Sequence, residues 1–305
     1  MDVLAAMRVY VRVAEARSFS AVARELGTTQ PAVSRQVAAL EEHLGARLIQ
    51  RTTRSLTLTE DGRDLLGHAR RVLDAVEEAE ASVGRRHALP SGLVRLATPA
   101  TFGRLYVAPR ITRLLERYPE MSIDLRMSDT LVDLVADGVD VAIRASAVVD
   151  SSLVARKIGS ARRITVASEA CLAAHGEPQH PSDLAGMPCV IFTGGLNSPT
   201  EWRFDGPGGA VSVSVTGRFR TNSSEAMREA VLAGLGFAVL PTWYFTEEVT
   251  SGRLRPVLTG WEPPRGAISA VYPSRRNLAP RTRAVIDFFV DEFRLDPVIS
   301  DYGEG

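Results

Sequence analysis

The sequence predicts an α/β protein in three parts: a winged helix-turn-helix head, a long linker helix and a doubly wound C-terminal domain. Three observations carry this. A short helical pattern, a tight turn and a longer helical pattern follow one another over residues 18–45. Apolar residues then recur at heptad spacing over residues 65–83. From residue 93 the order is strand, helix, strand, helix, strand, which builds a sheet with helices on its faces.

In the head, Leu4, Met7, Val11 and Ala14 recur at helical spacing. A turn is expected at 16–19, and Ala21, Val22 and Leu26 make a second short helix that Gly27 ends. Thr29 is read as the N-cap of the third helix, its side-chain oxygen taking an orphan N–H. Pro31 sits in the first turn, where a missing N–H costs nothing, and Gly45 fits the C-terminal cap. On a helical wheel Val33, Val37, Leu40 and Leu44 form a narrow core stripe, while Pro31, Ser34, Arg35 and Ala38 point the other way. Glu41 and Glu42 stand at the far end and read as a solvated face that phosphates would repel, so only the N-terminal half can approach DNA. Residues 48–58 suggest a small hairpin, or wing, whose polar tip Arg51 and Arg54 frame. Residues 1–58 hold eight arginines against five acidic residues, a modest excess. The bland alternative is a three-helix domain with a solvated face.

Thr59 can cap the next helix, with Glu60 and Asp61 at its positive end. Leu65, Ala69, Val72, Val76, Ala79 and Val83 form the heptad seam, which reads as a dimerising face, the alternative being a helix packed on its own domain. Residues 85–92 end the helix as a hinge, with Pro90 and Gly92 as breakers. The predicted domains are 1–58, 59–89 and 90–305.

Further on, strands are expected at 93–98, 121–127, 139–144, 162–167, 188–192, 211–220 and 237–240. Helices are expected at 105–118, 131–137, 168–175, 225–233 and 280–293. Ligands in open α/β sheets sit at the carboxyl ends of strands, where helix N-termini offer free N–H groups. Two loops qualify: Pro99 to Gly103, and Thr221 to Ser224.

Composition limits the function classes. The chain has 305 residues, 45% of them hydrophobic, with 36 basic and 36 acidic side chains. No run of ~18 apolar residues occurs, and the start at Met1-Asp2-Val3-Leu4 lacks a signal-peptide pattern, so the expectation is a cytoplasmic protein with no membrane partner. Cys171 and Cys189 form no close metal-type pair and are read as reduced structural thiols, a redox pair being the alternative. The histidines show no metal-ligand spacing, and neither a G-x-S-x-G elbow nor a phosphate-binding loop is present. No enzyme, metal or cofactor is therefore expected.

The run Ser18-Phe19-Ser20-Ala21-Val22-Ala23-Arg24-Glu25-Leu26, then Gln30-Pro31-Ala32-Val33-Ser34-Arg35-Gln36-Val37, then Arg51-Thr52-Thr53-Arg54 and Leu58-Thr59, resembles the N-terminal domain of LysR-type transcriptional regulators. Thr28-Thr29 stand where that family commonly has Leu-Ser, and Thr29 keeps the hydroxyl. Leu93-Val94-Arg95-Leu96-Ala97, Gly138-Val139-Asp140-Val141-Ala142-Ile143-Arg144 and Gly234-Leu235-Gly236-Phe237-Ala238-Val239-Leu240-Pro241 resemble its effector domain, which has a two-lobe fold like periplasmic ligand-binding proteins. The resemblance covers residues 1 to about 295. It implies lobe I at about 92–162 and 266–295, and lobe II at about 163–265. It implies DNA contacts from Thr29, Gln30, Pro31, Ser34, Arg35, Arg51 and Arg54. It places an effector pocket at Ala100, Thr101, Phe102, Ser128, Ile143, Thr193, Asn222 and Ser223, with Arg144 the nearest cation. The partners implied are double-stranded DNA with an inverted repeat, a small-molecule effector, a second copy in a homodimer or homotetramer, and RNA polymerase. The competing function is a plain small-molecule binding protein or transferase with no role on DNA.

Overall fold

The computed structural model describes residues 1–51, 56–83, 90–145, 153–194, 198–273 and 278–300. Two compact units emerge, the first holding the helices and strands up to residue 83 together with residues 133–139, and the second holding the strands and helices from residue 92 onward.

The first unit opens with α1 (Val3–Ala16), α2 (Phe19–Glu25) and α3 (Gln30–Leu44). Asp2 caps α1 by accepting from Ala5 N, and Ser18 caps α2 by accepting from Ala21 N. Gly45 ends α3 at φ 65°. Tyr10, Val13, Val22, Val33, Leu40 and Leu48 are buried, each contributing about 1.5–3 kcal/mol for the apolar surface it removes from water. Leu44, expected at the end of the core stripe, is 41% exposed, because it lies in the last turn before Gly45 redirects the chain. The wing is β1 (Ile49–Arg51) paired antiparallel with β2 (Leu56–Leu58).

Helix α4 (Glu60–Val83) is capped by Thr59, whose Oγ1 accepts from Gly62 N and donates to the Arg47 carbonyl. Gly62 lets the helix start cross the wing closely: a Cβ there would strike the Leu48 carbonyl oxygen. Tyr10 donates its hydroxyl to the Gly62 carbonyl and locks the crossing. The seam expected to pair two copies divides. Leu65 and Ala69 pack with Leu73 on the protein's own three-helix core, whereas Val72 is 40% exposed and Val76 half-buried. The physical reason is that an apolar seam starting one turn after the cap meets the head first. The side chains of Ala79 and Val83 lie outside the described residues.

The second unit contains a five-stranded sheet in the order β4-β3-β5-β14-β6, formed by β3 (Gly92–Thr98), β4 (Met121–Met127), β5 (Val141–Arg144), β6 (Val154–Ala161) and β14 (Gly266–Tyr272). β3 runs parallel to β4 and β5, and β14 returns antiparallel between β5 and β6. The second lobe holds the antiparallel trio β12-β7-β13, the parallel pair β11-β8 and a β9–β10 hairpin. Their ranges are β7 (Arg163–Ala167), β8 (Pro188–Phe192), β9 (Glu201–Gly206), β10 (Gly209–Ser214), β11 (Thr216–Thr221), β12 (Ala238–Pro241) and β13 (Arg255–Val257). The chain leaves the five-stranded sheet after Ala161 and returns to it at Gly266. Helix α10 (Pro280–Arg294) packs Phe288, Phe289 and Phe293 into the core.

Three expectations need correction. The helix foreseen at 131–137 is one turn over 134–138. Asp133 takes the N–H groups of Val135 and Ala136 on its own carboxylate, which competes with helix propagation. The strand foreseen at 211–220 is two strands, broken where Val215 is buried between them. The helix foreseen at 105–118 begins at residue 100. It runs as α5 (Ala100–Phe102), a wide π turn (Gly103–Val107) and α6 (Ala108–Arg117). Pro109 has no N–H to give an α ladder, and the π turn absorbs it through Ala108 N donating to the Gly103 carbonyl.

Candidate DNA interface and effector cleft

The front of α3 is held out by the stripe behind it. Val33, Val37 and Leu40 are buried, while Thr28, Thr29, Gln30, Pro31 and Arg35 are exposed and Ser34 is half-buried. Thr29 is the N-cap, but its hydroxyl makes no capping bond. Pro31 removes one donor that it would serve, and the N–H groups of Ala32 and Val33 both bond the Thr29 carbonyl instead. The hydroxyl expected to cap therefore stays at the surface. Arg51 lies in β1 opposite Leu56, with its side chain outside the described residues, as is the whole of Arg54.

Glu41 corrects a second reading. It is not a solvated charge: its Oε1 accepts the N–H groups of Leu48 at 2.8 Å and Ile49 at 3.1 Å, which pins the wing to the reading helix. Glu42 remains exposed. Arg12 is likewise engaged, forking onto both carboxylate oxygens of Glu25 at 2.8 Å and reaching Glu15, which also holds Arg70. Those hydrogen bonds hold the Glu25 carboxyl below its ordinary range. The arginine excess of the head is thus partly spent within it.

In the second unit the two foreseen loops meet. Thr101, 1% exposed, donates its hydroxyl to Glu225 Oε1 at 2.8 Å and lies 2.9 Å from Ser224 Oγ. Ser223 caps α8 (Ser224–Leu232) by accepting from Ala226 N. Phe102 is fully buried in an aromatic cluster that crosses between lobes, stacking on Tyr106 at 5.3 Å and meeting Trp243 edge-on at 5.2 Å. Trp243 stacks on Tyr244 at 4.2 Å, and its indole N–H is buried without a partner.

The residue that ties the loops together was not foreseen. Asp129 accepts from Ala100 N at 2.9 Å through one oxygen, and from Ser224 N at 2.8 Å and Ser224 Oγ at 2.6 Å through the other. Ser224, Glu225, Tyr244 and Arg104 were missed with it. Arg104 pairs with Glu225 at 3.1 Å. Burial works against the Glu225 carboxylate, yet the bonds from Thr101 and Arg104 outweigh it and the pKa is lowered. Burial pushes the Tyr244 hydroxyl far above its ordinary range, with the Asp129 charge acting in the same direction. The signal for Asp129 was an acid just past the carboxyl end of a strand.

The other foreseen positions do not join this cluster equally. Ser128 is exposed and takes Thr130 N on its hydroxyl. Asn222 is exposed, and Thr193 is exposed with its N–H on the Thr221 carbonyl. Ile143 is 2% exposed within β5, opposite Ala270, which is a packing position. Arg144 reaches the Val132 carbonyl at 3.0 Å and braces the segment between β4 and β5.

Cys171 and Cys189 are free and buried, and burial pushes the Cys189 thiol up to about 12 and raises that of Cys171. Among the described residues no group of three or more His, Cys, Asp or Glu is placed to hold a metal, and no helix is long and apolar enough to cross a membrane.

Residues 4–63 match the family described as bacterial regulatory helix-turn-helix protein, lysR family, and residues 87–294 match the LysR substrate binding domain. The HTH-type transcriptional regulator DmlR of Escherichia coli is 34% identical over 287 residues, covering 94% of this chain and 93% of its own. The structure of CrgA, a LysR-type transcriptional regulator from Neisseria meningitidis, superposes with a TM-score of 0.59 at 33% identity, covering 94% of this chain and 97% of that one. The full-length structure of the Vibrio cholerae virulence activator AphB gives 0.58 at 28% identity, covering 94% and 98%. These relatives are named as regulators of transcription, not enzymes. The chain belongs to the LysR family: it is a DNA-binding transcriptional regulator with an N-terminal helix-turn-helix domain and a C-terminal effector-binding domain.

Proposed function

We propose that the front of α3 reads an operator in the major groove through Thr29, Gln30, Pro31, Ser34 and Arg35, and that Arg51 and Arg54 of the wing contact the backbone or minor groove. The observation that carries this is the exposed, largely uncharged front of α3 seated on a fully buried stripe. A recognition helix enters the groove N-terminus first, so the residues standing at this front are the ones required. Two copies paired along the exposed part of the α4 seam present two reading heads to an inverted repeat. A small-molecule effector acts in the cleft around Ala100, Thr101, Phe102 and Ser223, with Ser128, Thr193 and Asn222 further out. It shifts the balance between two arrangements of the regulator by binding one more tightly. Homotetramers and contact with RNA polymerase complete the reading.

Electrophoretic mobility shift with DNA from upstream of the protein's own coding region tests it, at stated salt because phosphate contacts weaken steeply with ionic strength. Retardation by the wild type, lost in Arg35→Ala, is the expected result. Retardation that Arg35→Ala leaves intact removes α3 from the interface.

A further inference from the structure

We propose that Asp129 is a tethered anion: it occupies the place that an acidic effector group would take and holds the two lobes together without a ligand. This rests on the reading of the cleft as the effector site. Two helix starts, one from each lobe, point backbone N–H groups at one spot. Ala100 N comes from lobe I and Ser224 N from lobe II, and both bond the same carboxylate, at 2.9 Å and 2.8 Å. Ser224 adds its hydroxyl at 2.6 Å. Helix N-termini favour negative charge, and charge-assisted bonds of this kind are the strong ones. The geometry is that of a bound carboxylate ligand, with the carboxylate supplied by the loop after β4.

A second layer follows the same line. Thr101 donates its hydroxyl to Glu225 and touches the Ser224 hydroxyl at 2.9 Å, and Arg104 bonds Glu225, each contact joining lobe I to lobe II. An acidic ligand approaching the two N-termini meets a site already neutralised and a second carboxylate beside it, so like charge opposes entry. The cleft therefore takes an acidic molecule at this point only by displacing Asp129. Displacement breaks three bonds to Asp129, two of which cross between the lobes.

The test is chemical rescue in the full-length protein with sodium acetate as the probe and sodium chloride as the ionic-strength control. In Asp129→Ala, amide exchange over residues 99–103 and 222–226, followed by mass spectrometry, should be about tenfold faster than in the wild type. Acetate should restore protection saturably in the variant and leave the wild type unmoved. Unchanged exchange in either segment, absence of rescue, or an equal acetate response in the wild type overturns the proposal. Should Asp129→Ala fail to fold, Asp129→Asn keeps the shape without the charge. Faster exchange over 222–226 is again expected, and wild-type exchange there overturns the proposal. Acetate serves only as a carboxylate probe and no DNA is present, so a failure here falls on Asp129 and leaves the cleft standing as the effector site.

Discussion

Replacing Glu41 separates two accounts of the same residue. If Glu41 were only a negative charge at the back of the reading helix, removing it would strengthen DNA binding, and more so at low salt. The structure assigns the opposite sign. Its Oε1 holds Leu48 N at 2.8 Å and Ile49 N at 3.1 Å, and those residues are 1% and 6% exposed. Glu41→Ala leaves two donors without that acceptor where water has little access, at a cost of about 2–4 kcal/mol. Glu41→Gln keeps an oxygen acceptor and loses the charge, at a cost of about 1 kcal/mol. Amide exchange over residues 46–51 should accelerate in Glu41→Ala by about one and a half to three decades. Anisotropy titrations with labelled operator DNA across a salt series should show weaker binding by Glu41→Ala at every salt. The exposed Glu42 is the control, and Glu42→Gln should bind slightly more tightly at low salt with no change in exchange. A Glu41→Ala protein that binds at least as tightly as the wild type, with unaltered exchange, would refute the pinning of the wing.

Three other outcomes are expected. Phe102→Ala opens a cavity beside Trp243 and should cost the C-terminal domain about 3–5 kcal/mol, read by urea unfolding on tryptophan emission, since Trp202, Trp243 and Trp261 all lie there. Gly62→Ala drives a Cβ into the Leu48 carbonyl and should cost about 1–3 kcal/mol, with weaker operator binding as the wing is pushed off α4. Both cysteines should resist a thiol reagent in the native protein at neutral pH and react on unfolding. With the Cys189 thiol up at about 12, the native state keeps a proton that the unfolded chain loses above its ordinary value. That contribution to stability is complete below pH about 8.5 and declines as pH rises from there. Rapid native labelling of either thiol at neutral pH would contradict their burial.

The head was legible in the sequence because its signals are local. Thr59 caps, Gly45 stops a helix, and Val33, Val37 and Leu40 repeat at helical spacing. Each of these depends on residues within a few positions of one another. The second unit was legible where strands are dense in apolar residues, as at β3 and β8. It was opaque at β6, where Arg156, Lys157 and Ser160 interrupt small and apolar residues and the strand forms by pairing with β14 more than a hundred residues later. The helix at 131–137 failed because an apolar period says nothing about Asp133 satisfying two amides of its own. The seam of α4 was seen, but periodicity cannot tell which surface an apolar face will meet, and Leu65 and Ala69 met the head.

The least legible feature is shared by both functional regions. In a sequence an acid next to another acid, or in a loop, reads as a solvated charge, because that is where most acids are. The partners that overturn that reading are backbone N–H groups, which carry no sequence signal and become available only where a strand begins or a helix starts. Glu41 finds them seven positions away and Asp129 finds one of them 95 positions away. In each case the carboxylate joins two elements whose relative placement sets function: the reading helix and its wing, and the two sides of the cleft. Neutralising either leaves every proposed ligand contact chemically present and changes only where those contacts stand. The two carboxylates should therefore behave as positioning residues, with substitutions that alter binding geometry and exchange together, whereas a direct contact such as Arg35 should alter binding alone.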